Sequence, residues 1–309
     1  MGLLRWATRR TKMESRRWEP LLHTPRSSSA YYDGEGRRHR GDVPYLLPKD
    51  EQEIQRLNYQ HYLFRSILHG NCFAPVEWLL KNGCTVLDVG CGTGRWGCEI
   101  ASHYTHSQVI GFDLEELSHQ ESKPLNYVFE QGNLLANQGL PFRTGQFAYV
   151  HQRLLGAALP LASWPWVIQE LKRVTRPGGW VELIEMGNTF HRAGPATEQM
   201  LAWWMALSAT KGIETSQLSL IGEFLQRAGF LPVQKKTQLI PLGSWGGRVG
   251  NLLAQDMLSG WPSMRPALHT LCGISPTYFD AVMADLEREW NSKHTQYEVY
   301  CACGQHPGV

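Results

Sequence analysis

The sequence has 309 residues, of which 42% are hydrophobic and 19% are charged, and its formal net charge is +2. This composition supports a sizeable buried core and excludes an intrinsically disordered chain. No apolar stretch approaches the roughly 20 residues of a membrane helix, so we expect a soluble, cytoplasmic protein with no membrane partner.

The first 42 residues are predicted to be a basic, flexible arm. Residues 1–40 contain ten Lys and Arg and four acids, whereas the other 269 residues carry 20 basic and 24 acidic groups. Arg5, Arg9 and Arg10 interrupt the apolar residues at the N-terminus, so no secretory signal is expected. Because such an arm is more often a solvated tail than a nucleic-acid contact, we expect no nucleic-acid partner. The oligomeric state is left open.

The rest of the chain is predicted in three parts. Residues 43–83 form N-terminal cap helices, one beginning near Asp50 and a short one at 75–81. In 84–190, strands at 85–87, 108–112, 127–129, 147–150 and 180–184 alternate with helices at 95–104 and 164–174. This alternation predicts a parallel sheet covered on both faces. Residues 191–309 form substrate-cap helices at 195–210, 216–228, 248–258 and 277–290, with strands at 231–240 and 296–302 completing the sheet.

A glycine-rich turn follows the first of these strands. It contains Asp88, Gly90, Cys91, Gly92 and Gly94. Glycine is needed where the backbone approaches a ligand closely, and a G-x-G pattern alone is shared with nicotinamide and flavin enzymes. Here the third glycine comes one residue too early for a dinucleotide motif. A carboxylate two residues ahead of the first glycine suits a ligand with an ammonium group and no phosphate, as in S-adenosylmethionine.

Two further polar positions follow the next two strands. Asp113, followed by Leu114, ends the second strand, where an acid accepts hydrogen bonds from ribose hydroxyls. Asn133, followed by Leu134, comes after the third strand, where an amide can both donate to and accept from an adenine edge. The order and spacing of these positions predict a cofactor site.

These motifs, with segments at 45–51, 150–153, 177–183, 228–230 and 297–300, resemble the class I S-adenosylmethionine-dependent methyltransferases. More narrowly, the chain resembles methyltransferases related to the secondary-metabolism regulator LaeA, which share a trans-aconitate methyltransferase-like domain. The resemblance covers about residues 43–303. It implies an α/β fold with a Rossmann-like, seven-stranded, mostly parallel sheet, helices on both faces and a helical cap. Cys91, Arg95 and the segment 154–163 depart from the usual pattern of relatives.

Methyl transfer from a sulfonium requires an acceptor atom held in line with the S–CH₃ bond, and a base only if the acceptor loses a proton. His151, at the end of the fourth strand, is the first candidate base because its ordinary pKa suits proton removal near neutrality. Glu185, at the end of the fifth strand, is the second. The alternatives are a histidine that orients the cofactor and an inert, ion-paired acid.

Other candidate residues lie outside the glycine-rich turn. Arg56 is predicted to meet the methionine carboxylate and Tyr45 to stack near the sulfonium. His61, Gln152 and Arg153 are assigned to the substrate. The alternative for Arg56 is a surface ion pair, which is the usual role of Arg on such a helix.

The helix after the fifth strand contains Trp203 and Trp204, which are either core residues or the wall of an apolar acceptor site. We therefore expect a methyltransferase that acts on O, N or C of a small, largely apolar metabolite. The alternative is a protein-directed methyltransferase or a LaeA-like regulator that acts through partners. A nicotinamide enzyme is disfavoured by Asp88 and the glycine spacing. The seven cysteines show no metal-ligand spacing, so no metal is expected.

Overall fold

The structure is a computed structural model that describes residues 30–117, 123–136 and 138–308. The strands are β1 (Ala30–Tyr32), β2 (Arg38–Arg40), β3 (Thr85–Val89), β4 (Gln108–Asp113), β5 (Tyr127–Gln131), β6 (Phe147–Arg153), β7 (Thr175–His191), β8 (Val233–Pro241) and β9 (Gln296–Gln305). The first two pair as a hairpin, and the other seven form one sheet in the order β5-β4-β3-β6-β7-β9-β8. Within this sheet β9 alone runs antiparallel to its neighbours. The predicted seven-stranded, mostly parallel sheet is confirmed.

The helices are α1 (Glu51–Leu68), α2 (Glu77–Lys81), α3 (Arg95–His103), α4 (Trp164–Val174), α5 (Pro195–Ala209), α6 (Ile221–Arg227), α7 (Gly247–Gly260), α8 (Arg265–Cys272) and α9 (Pro276–Lys293). Helix α1 begins where the sequence places it, because the side chain of Asp50 accepts a hydrogen bond from the Glu53 amide at 3.0 Å. Among the described residues, none of these helices is both long and apolar enough to cross a membrane.

Three apolar clusters hold these elements together. Helices α4 and α6 cover one face of the sheet, where Trp164 and Leu225 are buried. Helices α2 and α3 cover the other face around Trp96. The third cluster joins α1, α5, α7, α8 and α9 into a helical cap around Met200 and Leu286. The predicted helices on both faces of the sheet and the helical cap beside the end of β7 are confirmed, but α2, which was expected in the cap, packs on the sheet instead.

Some boundaries differ from the prediction. Strand β7 is much longer than the expected 180–184, because it pairs with β9 as far as His191. The helix expected at 216–228 begins as a 3₁₀ turn, Thr215–Leu220, and only Ile221–Arg227 is α-helical. Helix α8 lies in a segment for which no helix was predicted.

Residues 30–49 form a folded segment, called the belt below, along the cofactor side of the molecule. Its hairpin is fixed to the loop after β4, because Arg38 Nη2 lies 2.6 Å from Glu115 Oε1. On the other side Glu35 accepts a hydrogen bond from Arg265 of the cap at 2.7 Å. The prediction of a flexible arm over 1–42 is thus wrong for residues 30–42, because these ion pairs fix the hairpin. Residues 1–29 lie outside the described residues.

Candidate functional site

The glycine-rich turn leads from β3 into α3 with a left-handed backbone. The φ angles of Gly90, Gly92 and Gly94 are +69°, +55° and +71°, values that side chains other than glycine rarely adopt. A Cβ at Gly90 would lie 2.5 Å from the Leu155 side chain, whereas one at Gly92 would meet only Leu57, at 3.9 Å. The turn therefore exposes bare backbone at Gly92, as close approach to a ligand requires.

A large cavity opens beside this turn, bounded by the belt, α1, the ends of β3, β4, β6 and β7, and the cap. Most of the predicted site residues line it: Tyr45, Arg56, His61, Asp88, Gly90, Cys91, Gly92, Asp113, Leu114, Asn133, Leu134, His151, Arg153, Glu185 and Trp204. Gly94, Gln152 and Trp203 are not among the lining residues. Within the described residues no group of three or more His, Cys, Asp or Glu side chains is arranged to hold a metal.

Asp113 shapes the turn as well as facing the cavity. Its Oδ2 accepts a hydrogen bond from the Gly92 amide at 2.8 Å, and its Oδ1 accepts one from the Leu114 amide at 2.6 Å. Asn133 Oδ1 accepts from the Leu135 amide at 2.9 Å, which fixes the orientation of its side-chain amide. A carboxylate and an amide held in this way fit the ribose and adenine groups of the predicted cofactor.

Arg56 lines the cavity but its charge is already paired. Its Nε and Nη2 donate to Glu53 at 2.8 and 2.6 Å, and its Nη1 donates to Asp256 at 2.7 Å. Burial lowers the pKa of Arg56, but the two carboxylates outweigh it and raise that pKa above its usual value. Because both ends of the guanidinium are occupied, the geometry disfavours Arg56 as the group that meets the methionine carboxylate.

Arg153 is the cavity's better cation for a carboxylate. It is partly accessible, its Nη2 donates to His61 Nδ1 at 3.2 Å, and its guanidinium lies 5.4 Å from the centre of the Phe64 ring. No carboxylate of the described residues forms an ion pair with it. Burial lowers the pKa of Arg153, so an anion in the cavity would be favoured beside it.

His61 positions Arg153 rather than carrying a charge of its own. Its Nε2 lies 2.8 Å from Glu99 Oε2. Burial, and next the nearby Arg153 charge, lower the pKa of His61 to about 4. The ring is therefore neutral at pH 7, with Nε2–H donating to Glu99 and Nδ1 accepting from Arg153. Sequence reasoning missed Glu99, which carries no motif signal of its own.

His151 is enclosed by acids and an aromatic ring. Its Nδ1 lies 2.8 Å from Asp88 Oδ1, its Nε2 lies 3.9 Å from Glu182 Oε1, and its ring stacks on Trp96 with 3.8 Å between centroids. The side chain is only 1% exposed. Because both ring nitrogens face protein carboxylates, the geometry favours the alternative in which His151 orders the site over the one in which it removes a proton from an acceptor.

Glu182 is a second acid, after Glu99, to which the sequence assigned no role. It is fully buried in β7, and its Oε2 accepts hydrogen bonds from the backbone amides of Phe73 and Ala74. Burial raises its pKa. The sequence could have indicated this residue, because Glu182 is an acid within an otherwise apolar strand. A buried acid needs a hydrogen-bond or charge partner. Glu182 thus connects the segment after α1 to the sheet beneath His151.

Glu185 lines the cavity at the end of the parallel part of β7. Its two oxygens accept hydrogen bonds from the Leu155 and Gly156 amides at 3.1 and 2.9 Å, which fixes the loop after β6. Burial raises the pKa of Glu185 to about 8, although both amide donors lower it. Its contacts are amides rather than cations, so the alternative of an inert ion pair does not apply.

We expect the Glu185→Gln variant to change how stability depends on pH. The folded-state pKa of about 8 lies above the ordinary 4.5, so between these values the folded protein keeps a proton that the unfolded chain releases. The free energy of unfolding of the wild type therefore falls as pH rises through this window, and the variant should lose that dependence. Urea unfolding across the window measures it, with the exposed Glu51→Gln as control. Parallel pH curves for wild type and Glu185→Gln would contradict the assignment.

Two residues predicted to contact the substrate, Gln152 and Trp203, lie outside the cavity. Gln152 is completely buried and outside the cavity, because alternation along β6 puts it on the opposite face from His151 and Arg153. Trp203 is a core residue that stacks on Phe279 at 5.7 Å. Trp204 lines the cavity instead. The substrate assignments of Gln152 and Trp203 are therefore corrected.

The two tryptophans should respond differently to replacement by alanine. We expect Trp203→Ala to lower the free energy of unfolding by about 3–5 kcal/mol, because it empties a packed core site. Trp204→Ala should change stability little but reduce labelled methyl transfer into small molecules. Urea unfolding and a transfer assay measure the two effects. A Trp203→Ala variant of normal stability and reduced transfer would contradict this division.

Comparisons with known proteins agree with this site. A family described as a methyltransferase domain matches residues 42–235. The secondary metabolism regulator LAE1 of Cochliobolus heterostrophus is 28% identical over 236 residues, or 72% of this chain and 75% of that protein. The methyltransferase pytC of Aspergillus terreus is 26% identical over 290 residues, or 88% and 87%. The N-methyltransferase gliN of Aspergillus fumigatus is 25% identical over 264 residues, or 80% and 91%.

Proposed function

The chain belongs to the methyltransferase domain family and is an S-adenosyl-L-methionine-dependent methyltransferase, and we propose that its methyl acceptor is a small, largely apolar metabolite of specialised metabolism. The observation that carries this proposal is the composition of the cavity wall opposite the glycine-rich turn. That wall is formed by Met186, Phe190, Leu201, Trp204, Met257 and Trp261. An enclosed apolar wall with few polar groups is typical of a small-molecule site.

In this proposal the cofactor is held by the glycine-rich turn and by residues at the ends of β3, β4, β5 and β6. Asp113 would bind the ribose, Asn133 the adenine edge, and the backbone at Gly92 would pass close to the ligand. Asp88 faces the ammonium end of the molecule, and Arg153 its carboxylate. When bound, the cofactor supplies an electrophilic methyl group on a sulfonium.

The protein's own contribution is position and exclusion of water. The cap and belt enclose the acceptor beside the cofactor site, which converts the transfer into a reaction between held partners. If the acceptor loses a proton, Glu185 is the group proposed to take it in its ionised form, so that step should become faster as the pH rises through the Glu185 pKa of about 8. His151 is proposed to hold Asp88 in place.

A protein-directed methyltransferase or regulator remains the second candidate, and the likeness to LAE1 favours it. Seven free cysteines within the described residues suit a reducing compartment, so a cytoplasmic location is part of either proposal. If the protein is such a regulator, residues 1–29 would serve as the segment that docks onto its protein partner. Deleting them would then abolish function and leave cofactor binding intact.

The test is a transfer assay with methyl-labelled cofactor and an extract of the source organism, separated into protein and small-molecule fractions. We expect the label in an organic-extractable small molecule, and the Gly92→Val variant serves as an inactive control. Label confined to protein would overturn the metabolite proposal in favour of the second candidate.

A further inference from the structure

Lys49 is a buried cation of the belt that lies beside the acid at the end of β4. Its Nζ is 3.7 Å from Asp113 Oδ1 and 5.8 Å from the centre of the Tyr45 ring. All three residues line the cavity. In the part of the chain that the structure describes, this ammonium has an ion-pair partner but no hydrogen-bond acceptor. The sequence assigned no role to Lys49.

The belt fixes Lys49 in this place through Arg38. The backbone amide of Lys49 donates to the Arg38 carbonyl at 2.6 Å, and Arg38 Nε donates to the Lys49 carbonyl at 2.7 Å. The same guanidinium donates to Glu115, which follows Asp113 by two residues, at 2.6 Å. Lys49 and Asp113 are therefore carried by two segments that Arg38 connects to each other.

The ammonium of Lys49 can be reached from the cavity. The side chains of Lys49 and Asp113 keep 6% and 13% of their surface exposed, and both residues line the cavity. Other polar atoms of the site are sealed off and unpaired, among them His151 Nε2 and Asn188 Nδ2, but Lys49 Nζ is not one of them. A ligand atom in the cavity therefore has access to this donor.

The chemistry of the pair selects a particular kind of ligand group. The Asp113 carboxylate only accepts hydrogen bonds, and the Lys49 ammonium only donates them. The 3.7 Å between them is too long for a direct hydrogen bond. A group that both donates and accepts satisfies the two at once, and a hydroxyl is such a group. The ribose of the cofactor carries two hydroxyls side by side.

We propose that the Lys49 ammonium donates a hydrogen bond to the oxygen of a ribose hydroxyl of the cofactor, while the hydrogen of that hydroxyl goes to Asp113. The ribose is then bound from the belt as well as from the sheet. This inference rests on the proposed function, because it takes the ribose to lie at Asp113. It concerns the cofactor alone and is independent of the methyl acceptor.

The test is isothermal titration calorimetry with S-adenosylhomocysteine and its 2′-deoxy and 3′-deoxy analogues. We expect Lys49→Met to bind S-adenosylhomocysteine about 10- to 30-fold more weakly than the wild type, because a charge-assisted hydrogen bond is lost. For one of the two deoxy analogues the difference should shrink to about twofold or less, because the partner of Lys49 is then missing from the ligand. Lys49→Gln should show the same pattern. Lys236→Met is the matched control, because Lys236 is exposed on β8 and does not line the cavity.

Two results in Lys49→Met would overturn the inference: wild-type affinity for S-adenosylhomocysteine, or an equal loss of affinity for all three ligands, which would indicate a purely structural role. Asp113→Asn, titrated with the same ligands, separates this failure from that of the cofactor placement. If the loss depends on a ribose hydroxyl in Asp113→Asn but not in Lys49→Met, the Lys49 contact fails alone. If it depends on neither hydroxyl in both variants, the placement of the ribose at Asp113 fails as well.

Discussion

The Arg153→Met variant is expected to bind S-adenosylhomocysteine about 30- to 100-fold more weakly than the wild type, the loss typical of a charge-assisted hydrogen bond to a buried carboxylate. The reason is that Arg153 is partly accessible in the cavity and bonded to a neutral histidine, His61, instead of an acid. Isothermal titration calorimetry measures the affinity directly.

The matched ligand for this experiment is 5′-methylthioadenosine, which has the same adenosine and thioether but lacks the amino-acid group. Its affinity should be equal in wild type and Arg153→Met. The matched protein control is Arg288→Met, because Arg288 is exposed on α9, pairs with Asp285 and does not line the cavity. If Arg153→Met leaves the affinity for S-adenosylhomocysteine unchanged, the methionine carboxylate binds elsewhere. Arg153 would then keep the role in substrate binding that the sequence predicted.

The second large effect is expected at Asp113. Asp113→Ala removes both the predicted ribose contact and the hydrogen bond that the Gly92 amide donates at 2.8 Å. We expect it to weaken S-adenosylhomocysteine binding by about 100-fold or more, since two charge-assisted hydrogen bonds are lost. Asp113→Asn keeps an acceptor for the Gly92 amide, so it should fall between Ala and wild type.

The control is Asp285→Asn on α9, because Asp285 is exposed, pairs with Arg288 and does not line the cavity. Equal losses in Asp113→Asn and Asp113→Ala would assign the effect to the carboxylate's charge. Binding at wild-type strength in Asp113→Ala would remove the ribose role.

The sequence predicted the sheet well, and most of the residues that it assigns to the cofactor line one cavity, because both patterns depend on local chemistry. Glycines with left-handed φ angles and an acid at the end of a strand have few other uses, so Gly90 and Asp113 were recognisable from spacing alone. The strands of the parallel core were short, continuous apolar runs bounded by turns. Such runs are typical of strands buried on both faces.

The rest of the site was predicted less well, because its residues meet through contacts far apart in the chain. Arg56 pairs with Asp256, which is 200 residues away in the chain, and no sequence feature near Arg56 indicates this partner. Trp203 and Trp204 are adjacent in the sequence, and only the packing of α5 against α9 decides which one faces the cavity.

The belt is held to its neighbours at both of its sides by ion pairs. One wall of the cofactor cavity is a segment secured at its two sides by exposed or half-buried pairs, Arg38–Glu115 and Arg265–Glu35. Such pairs weaken as counter-ions screen them, while the apolar cap on the far side does not. We therefore expect the two walls of this cavity to respond differently to salt: a higher electrolyte concentration should weaken the ion pairs of the belt and leave the apolar packing of the cap intact.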